Sequence, residues 1–139
     1  MAKYDAYGTA LYKGTTTGTA YAQVTNISGP SLSLDTADVT SHDSTGAWEE
    51  VVATILRSGE ITLDIVYDPA HATHKNSAGG LLYDFAARTA IVMTLVFSDT
   101  ATTEWTFSGL ITAFEPGMPV DGALTASVTI KPTGVVTLV

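Results

Sequence analysis

The chain is predicted to be mainly β, a sandwich or half-barrel with one short flanking helix and one long arm-like loop, and three observations carry that expectation. Val and Thr are abundant while charged residues make up only 14% of the chain, a balance that suits pleated, half-buried surfaces. Several stretches alternate strictly, best in Ile61, Leu63, Ile65 and Tyr67 against Thr62, Asp64 and Val66, the period of a strand with one buried face. Between Val24 and Asp68 runs an acidic, hydroxyl-rich excursion. It is too long for an ordinary hairpin loop, because connections in compact domains usually run about 4–6 residues.

The elements follow in order. TAYAQVTNI at 19–27 is β-prone, and Ser28, Gly29 and Pro30 close it with turn residues before a short extended piece around 32–34. This reads as a first hairpin. After Asp35, the short polar side chains of Thr36, Asp38, Thr40, Ser41, His42, Asp43, Ser44 and Thr45 compete for backbone hydrogen bonds and favour irregular structure. A mobile arm is expected over about 38–58. Within it, Trp48, Val51, Val52, Ile55 and Leu56 share one helical face, with Gly59 where a C-terminal cap would sit, so a short amphipathic helix is expected. Its face packs either on the domain's own core or on a partner.

From Gly59 onward the alternating strand begins, and Asp68-Pro69 ends it, Asp as an N-cap and Pro at a first helical position, so a turn of helix is expected there. Leu81, Leu82, Phe85 and Ala86 in GLLYDFAARTA mark the one convincing helix, two to three turns long and dependent on packing. Residues 91–98 and 103–114 read as strands joined through 99–102, and 123–131 as a last long strand. The VVTLV tail at 135–139 could extend a sheet edge. Little Lys or internal Pro protects the edges, so pairing with another copy is invited.

At 139 residues the chain is expected to be a single domain, 1–139. No apolar run approaches the roughly 18–20 residues of a membrane span, and MAKYDAYGTA lacks a signal-peptide pattern. Synthesis in a cytosol is the expectation. With no cysteine there is no disulfide, thiolate metal site or Cys nucleophile. The net charge of −8 and pI near 4.5 argue against wrapping nucleic acid, which needs clustered Lys and Arg. Solubility is the ordinary use of such a charge.

Chemistry finds little footing. His71 and His74 are spaced to share a helical face with Asp68 nearby, but zinc wants three or four ligands and a fixed second shell. Two exposed loop histidines are the expected reading. Glu49 and Glu50 lie in the arm, where nothing holds the spacing an acid–base pair needs. Ser58-Gly59 and Ser108-Gly109 lack the G-x-S-x-G elbow, and no Gly-rich phosphate loop precedes the helix. No enzyme, metal or cofactor is expected. An arm that displays Trp48, Val51, Val52, Ile55 and Leu56 wants a partner surface, so an assembly protein is the first reading.

The residues also carry a resemblance. ISGP at 27–30, D-x-x-D-V-T-S-H-D-S at 35–44 and V-T-I-K-P-T-G at 128–134, in that order with RSGEITLDIVYDP and GLLYDF between them, resemble the major tail tube proteins of long-tailed bacteriophages. The resemblance spans about residues 20–136. It implies a β-sandwich subunit with one flanking helix, forming hexameric rings that stack into a hollow tail tube for the DNA genome. It further implies a place in the virion tail, assembly in the host bacterial cytoplasm, and contacts with tape-measure, tail terminator and distal tail proteins. The arm would order against the neighbouring ring, with Asp38, His42, Asp43, Trp48, Glu49, Glu50 and Arg57 as its assembly residues. Asp64, on the polar face of its strand, is the candidate lumen acid. Inner tubes of contractile tails share this logic. Two other classes are kept open: a monomeric adhesive or carbohydrate-binding β-sandwich using Trp48, Tyr83 or Trp105, and a small metal enzyme built on Asp68, His71 and His74.

Overall fold

The computed structural model describes residues 3–15 and 18–139. Its strands are β1 (Ala10–Lys13), β2 (Thr19–Ala20), β3 (Val24–Ser28), β4 (Ser33–Asp38), β5 (Val51–Arg57), β6 (Ile61–Val66), β7 (Ile91–Val96), β8 (Glu104–Gly117) and β9 (Thr125–Thr137), with the α-helix α1 (Leu81–Ala87) between β6 and β7 and a 3-10 turn at Thr45–Ala47 between β4 and β5. Seven strands form one antiparallel sheet in the order β2-β1-β7-β8-β9-β6-β3, curled into a half-barrel. Among the described residues, strands β4 and β5 pair with each other alone, as a separate two-stranded ribbon.

Alternation builds the core. Ile61, Leu63 and Ile65 of β6 are buried and lie opposite Ile130, Val128 and Ala126 of β9, while Met93 and Leu95 of β7, Phe107 and Ile111 of β8 and Leu11 of β1 continue the layer. Each of these large side chains, Ala126 excepted, contributes about 1.5–3 kcal/mol through burial. Helix α1 adds Leu81, fully buried. The helix ends at Arg88, which takes a left-handed conformation at φ 58°, a conformation that stops helix propagation. Gly109 is required by close packing, since a Cβ there would meet Ile130 Cγ2 at 2.7 Å.

The strand expected at 61–67, the hairpin through 99–102 and the helix in GLLYDFAARTA are all present. Other expectations are corrected. Residues 19–27 and 32–34 form no hairpin with each other, because β3 pairs with β6 and β4 with β5. Asp68-Pro69 begins a series of turns, not a helix. The amphipathic helix expected from Trp48 to Leu56 is strand β5. Val51, Val52, Thr54 and Ile55 are β-branched, which costs χ1 freedom in a helix and favours the pleated state. The tail 135–139 is not a separate edge piece: β9 runs through Pro132 and Gly134 to Thr137, and its offset against β8 between Ser108↔Thr133 and Thr106↔Thr137 absorbs the break as a bulge.

Candidate assembly surfaces

Beyond Ser28 and Thr62 the β3–β6 pair continues into the arm in unchanged register. From Ser28↔Thr62 to Ser33↔Arg57 each strand advances five residues, so β4–β5 is the same hairpin resumed after an unpaired neck. Two glycines make the neck narrow. A Cβ on Gly29 (φ 99°) would stand 2.5 Å from the Glu60 carbonyl oxygen, and one on Gly59 (φ 60°) would stand 2.7 Å from Ser31 Cβ and its carbonyl oxygen. Both positions therefore exclude any side chain.

The arm beyond the neck is a ribbon with both faces in solvent. Every residue of β5 is exposed, Leu56 at 81% and Ile55 at 55%, and Leu34 of β4 lies opposite Leu56. Its outer loop is closed by its own polar groups. Val39 N–H donates to Glu50 O (2.9 Å), Glu50 N–H to Thr40 Oγ1 (2.8 Å), Ser41 N–H to Ser44 Oγ (3.0 Å), and Ser44 Oγ donates to Glu50 Oε2 (2.9 Å). Hydrogen bonds from Thr40, the side chain first and the backbone second, hold the Asp38 carboxyl below the usual carboxylate range. Inside this frame Trp48 stands 77% exposed. Asp38, His42, Asp43, Trp48, Glu49 and Glu50 thus gather in one loop, while Arg57 sits at the base, its Nε 2.7 Å from Asp35 Oδ2.

Asp64 projects from the face of β6 opposite the core, between Asn26 of β3 and Ser127 of β9. Asn26 Nδ2 lies 3.5 Å from its Oδ2. Ser127 in turn faces Glu115 of β8, so Asn26, Asp64, Ser127 and Glu115 form one cross-strand row. Thr62 and Thr129 form part of the next row. This is a polar wall two strands wide or more.

The histidines are not the exposed pair expected. His74 is fully buried: its Nδ1 accepts from the Asp68 N–H (3.2 Å), and its Nε2 donates to the Ala22 carbonyl (2.7 Å). Both ring nitrogens are spent on backbone, which a ligand role would forbid. His71 Nδ1 accepts from Thr73 N–H (3.1 Å), and Thr73 Oγ1 accepts from Ala22 N–H (3.2 Å). The spacing that resembled a metal motif pins the 68–74 turns to the chain before β3. No cluster of three metal-ligating side chains occurs among the described residues. A second pin joins α1 to β1: Lys13 Nζ lies 3.0 Å from Asp84 Oδ2. Beside it, burial and the Asp84 charge push the Tyr21 hydroxyl's pKa well up.

Two surfaces escaped the sequence reading. The turn between β8 and β9 exposes Met118 (74%) and Val120 on either side of Pro119. At the other end of the same strands, where β7 turns into β8, lies a groove of about 770 Å³. It is lined by Tyr4, Tyr7, Ile27, Phe97, Trp105 and Val139 among others. Tyr7 is 89% exposed, and Phe97 and Trp105 meet edge to face at 5.0 Å. Apolar residues in a turn with Gly117 and Gly122 were the available signal. Trp48, Tyr83 and Trp105, the aromatics of the adhesive alternative, lie on the arm, on α1 and in this groove, and no one site gathers them.

No protein-family model and no curated protein matches the sequence. Solved structures do match. A chain of the virion of a native gene transfer agent particle is similar with a TM-score of 0.77 at 15% identity, covering 99% of both chains. A chain from the tail of an empty gene transfer agent particle, refined with helical and C6 symmetry, is similar to the same degree over the same 99% of each. A chain of the sheath-tube complex of an extracellular contractile injection system in its extended state gives 0.68 at 16% identity, covering 99% of this chain and 93% of that one. Likeness over the whole length at such identity is a likeness of architecture, and by that architecture the chain has the tail-tube fold.

Proposed function

We propose that this protein is the structural subunit of a hollow tail tube in a virion or virion-like particle, built as stacked six-membered rings. The observation that carries the reading is the end-to-end likeness to a chain of a helical, six-fold tail. The apolar ribbon supports it. Side chains such as Trp48, Leu56 and Ile55 have no use in a monomer and form a patch of the kind that marks an interaction site. The free edges β2 and β3 would pair between neighbours in a ring, and closure removes the edge hazard. The arm would reach the next ring with Trp48 foremost and the acids of its loop at the rim. Asp64 and Glu115 would belong to the wall of the channel, repelling a polyanionic genome in transit. Terminator, tape-measure and distal tail proteins would meet the tube at its ends and in its lumen.

Negative-stain electron microscopy of the purified chain, dilute and then concentrated with seeds, tests the reading. Hollow tubes of stacked rings are expected. Lasting monodispersity at high concentration with seeds would overturn it.

A further inference from the structure

A stack that grows without limit must join two different surfaces of the subunit, one at each end, because a head-to-tail contact does not close. The arm leaves the sheet at the Ser28 and Thr62 end of β3 and β6. At the opposite end, beyond Val66, Gly117 and Thr125, stands the exposed tip of Met118, Pro119 and Val120. The β7–β8 turn, the end of β9 and the segment before β1, at the end from which the arm departs, form the groove together with residues 24–27 of β3. One pole thus carries an apolar projection and the other a recess with an aromatic floor and a polar rim that includes Asp5 and Asp99, on strands β8 and β9.

The tip matches the groove in size and its aromatic floor in chemistry. A Met, a Pro and a Val together occupy roughly 400 Å³ at protein packing density, so a groove of about 770 Å³ admits the tip with room for the turn's backbone. Nothing among the described residues fills it. Its aromatic floor, Phe97 against Trp105, suits a thioether, which gains from sulfur–aromatic contact. We propose that the tip residues Met118 and Val120 of one copy seat in the groove between Tyr7 and Trp105 of the copy stacked on it, a contact between rings separate from the arm. This rests on the tube reading above. The β8–β9 hairpin then spans the subunit from one interface to the next, so each ring's groove is filled by the adjoining ring's tip.

The chain has no cysteine, which makes the test direct. Val120→Cys and Tyr7→Cys chains, mixed in equal amounts and assembled, are oxidised and run without reductant. A disulfide-linked dimer holding one chain of each kind is expected, well above that from either variant alone. In parallel, Met118→Ser/Val120→Ser should raise the critical concentration for tubes at least tenfold while the monomer's melting temperature stays within about 2 °C. Tubes that form from the mixed chains without the mixed dimer, or that form at unchanged concentration from the double serine variant, would overturn the contact and leave the tube reading standing. A wild-type chain that never forms tubes would overturn both.

Discussion

His74 shows how a single residue can look like chemistry and turn out to be architecture. Its two nitrogens satisfy the Ala22 carbonyl and the Asp68 N–H inside a fully buried site, and an orphaned buried group costs about 1–3 kcal/mol. His74→Leu leaves both without a partner and should cost about 2–4 kcal/mol, read as a fall of roughly 10 °C in the melting temperature of the dilute chain. Tyr21 is the opposite case. Its hydroxyl is buried with no hydrogen-bond partner among the described residues, so Tyr21→Phe should melt at or above the wild-type temperature. A large loss there would mean the hydroxyl is bonded after all. Asp99 is held below the usual carboxylate range by Thr103, side chain first and backbone second. A carboxyl depressed in the fold stabilises it above the unfolded pKa, and that contribution is lost as pH falls through the folded value. Thr103→Val should move the Asp99 titration midpoint upward by NMR, and an unmoved midpoint would deny the hydrogen bonds their part.

At the scale of elements, the arm is a hairpin that has lost its sheet. Its strands enter in the register of β3–β6, shift by one residue between Leu34 and Thr36 and bury neither face, so its stability rests on ladder bonds, the Asp35–Arg57 pair and the Thr40–Glu50 closure. An isolated two-stranded ribbon is marginal in water. Hydrogen exchange over residues 38–58 should therefore be fast in the dilute chain and slow in the tube; equal protection in both states would end the proposal of an arm that orders on stacking. Trp48→Ala should weaken tube formation by tenfold or more with little change in monomer melting. Gly59→Ala tests the neck, since its Cβ must displace the chain at Ser31 at a left-handed position that strains any side chain. It should redirect the arm and block stacking while the half-barrel still melts cooperatively.

For the whole molecule, charge and shape set the terms of assembly. Each chain carries −8, so six in a ring repel one another and added salt should speed assembly by screening. The Asn26, Asp64, Ser127 and Glu115 row is the channel wall in the proposed tube. Asp64→Lys should leave assembly intact and slow DNA release in a salt-dependent manner; normal release from fully assembled tails would take Asp64 off the wall.

Periodicity is the record of burial against one's own core, and that decides which parts of the protein were legible. Ile61, Leu63 and Ile65, the hairpin through 99–102 and the Leu81 helix each bury one face in the half-barrel, so alternation or helical spacing announced them. Strand β5 buries nothing, and with no face to encode, its apolar residues fell by chance at helical intervals. Only its pairing with β4 shows it to be a strand. The same limit hid the direction of the chain at Ser28, Gly29 and Pro30, whose turn chemistry suggests a hairpin reversal where the chain in fact runs on from β3 into β4. His71 and His74 were visible, but which atoms they touch depended on bringing residue 22 to residue 74. The sequence by itself determined the β class, the polar face bearing Asp64 and the apolar side chains of residues 48–56. The tertiary structure alone decided that the arm continues a sheet hairpin and that the β8–β9 tip and the aromatic groove lie at opposite ends, because relative position arises from pairings distant in the chain.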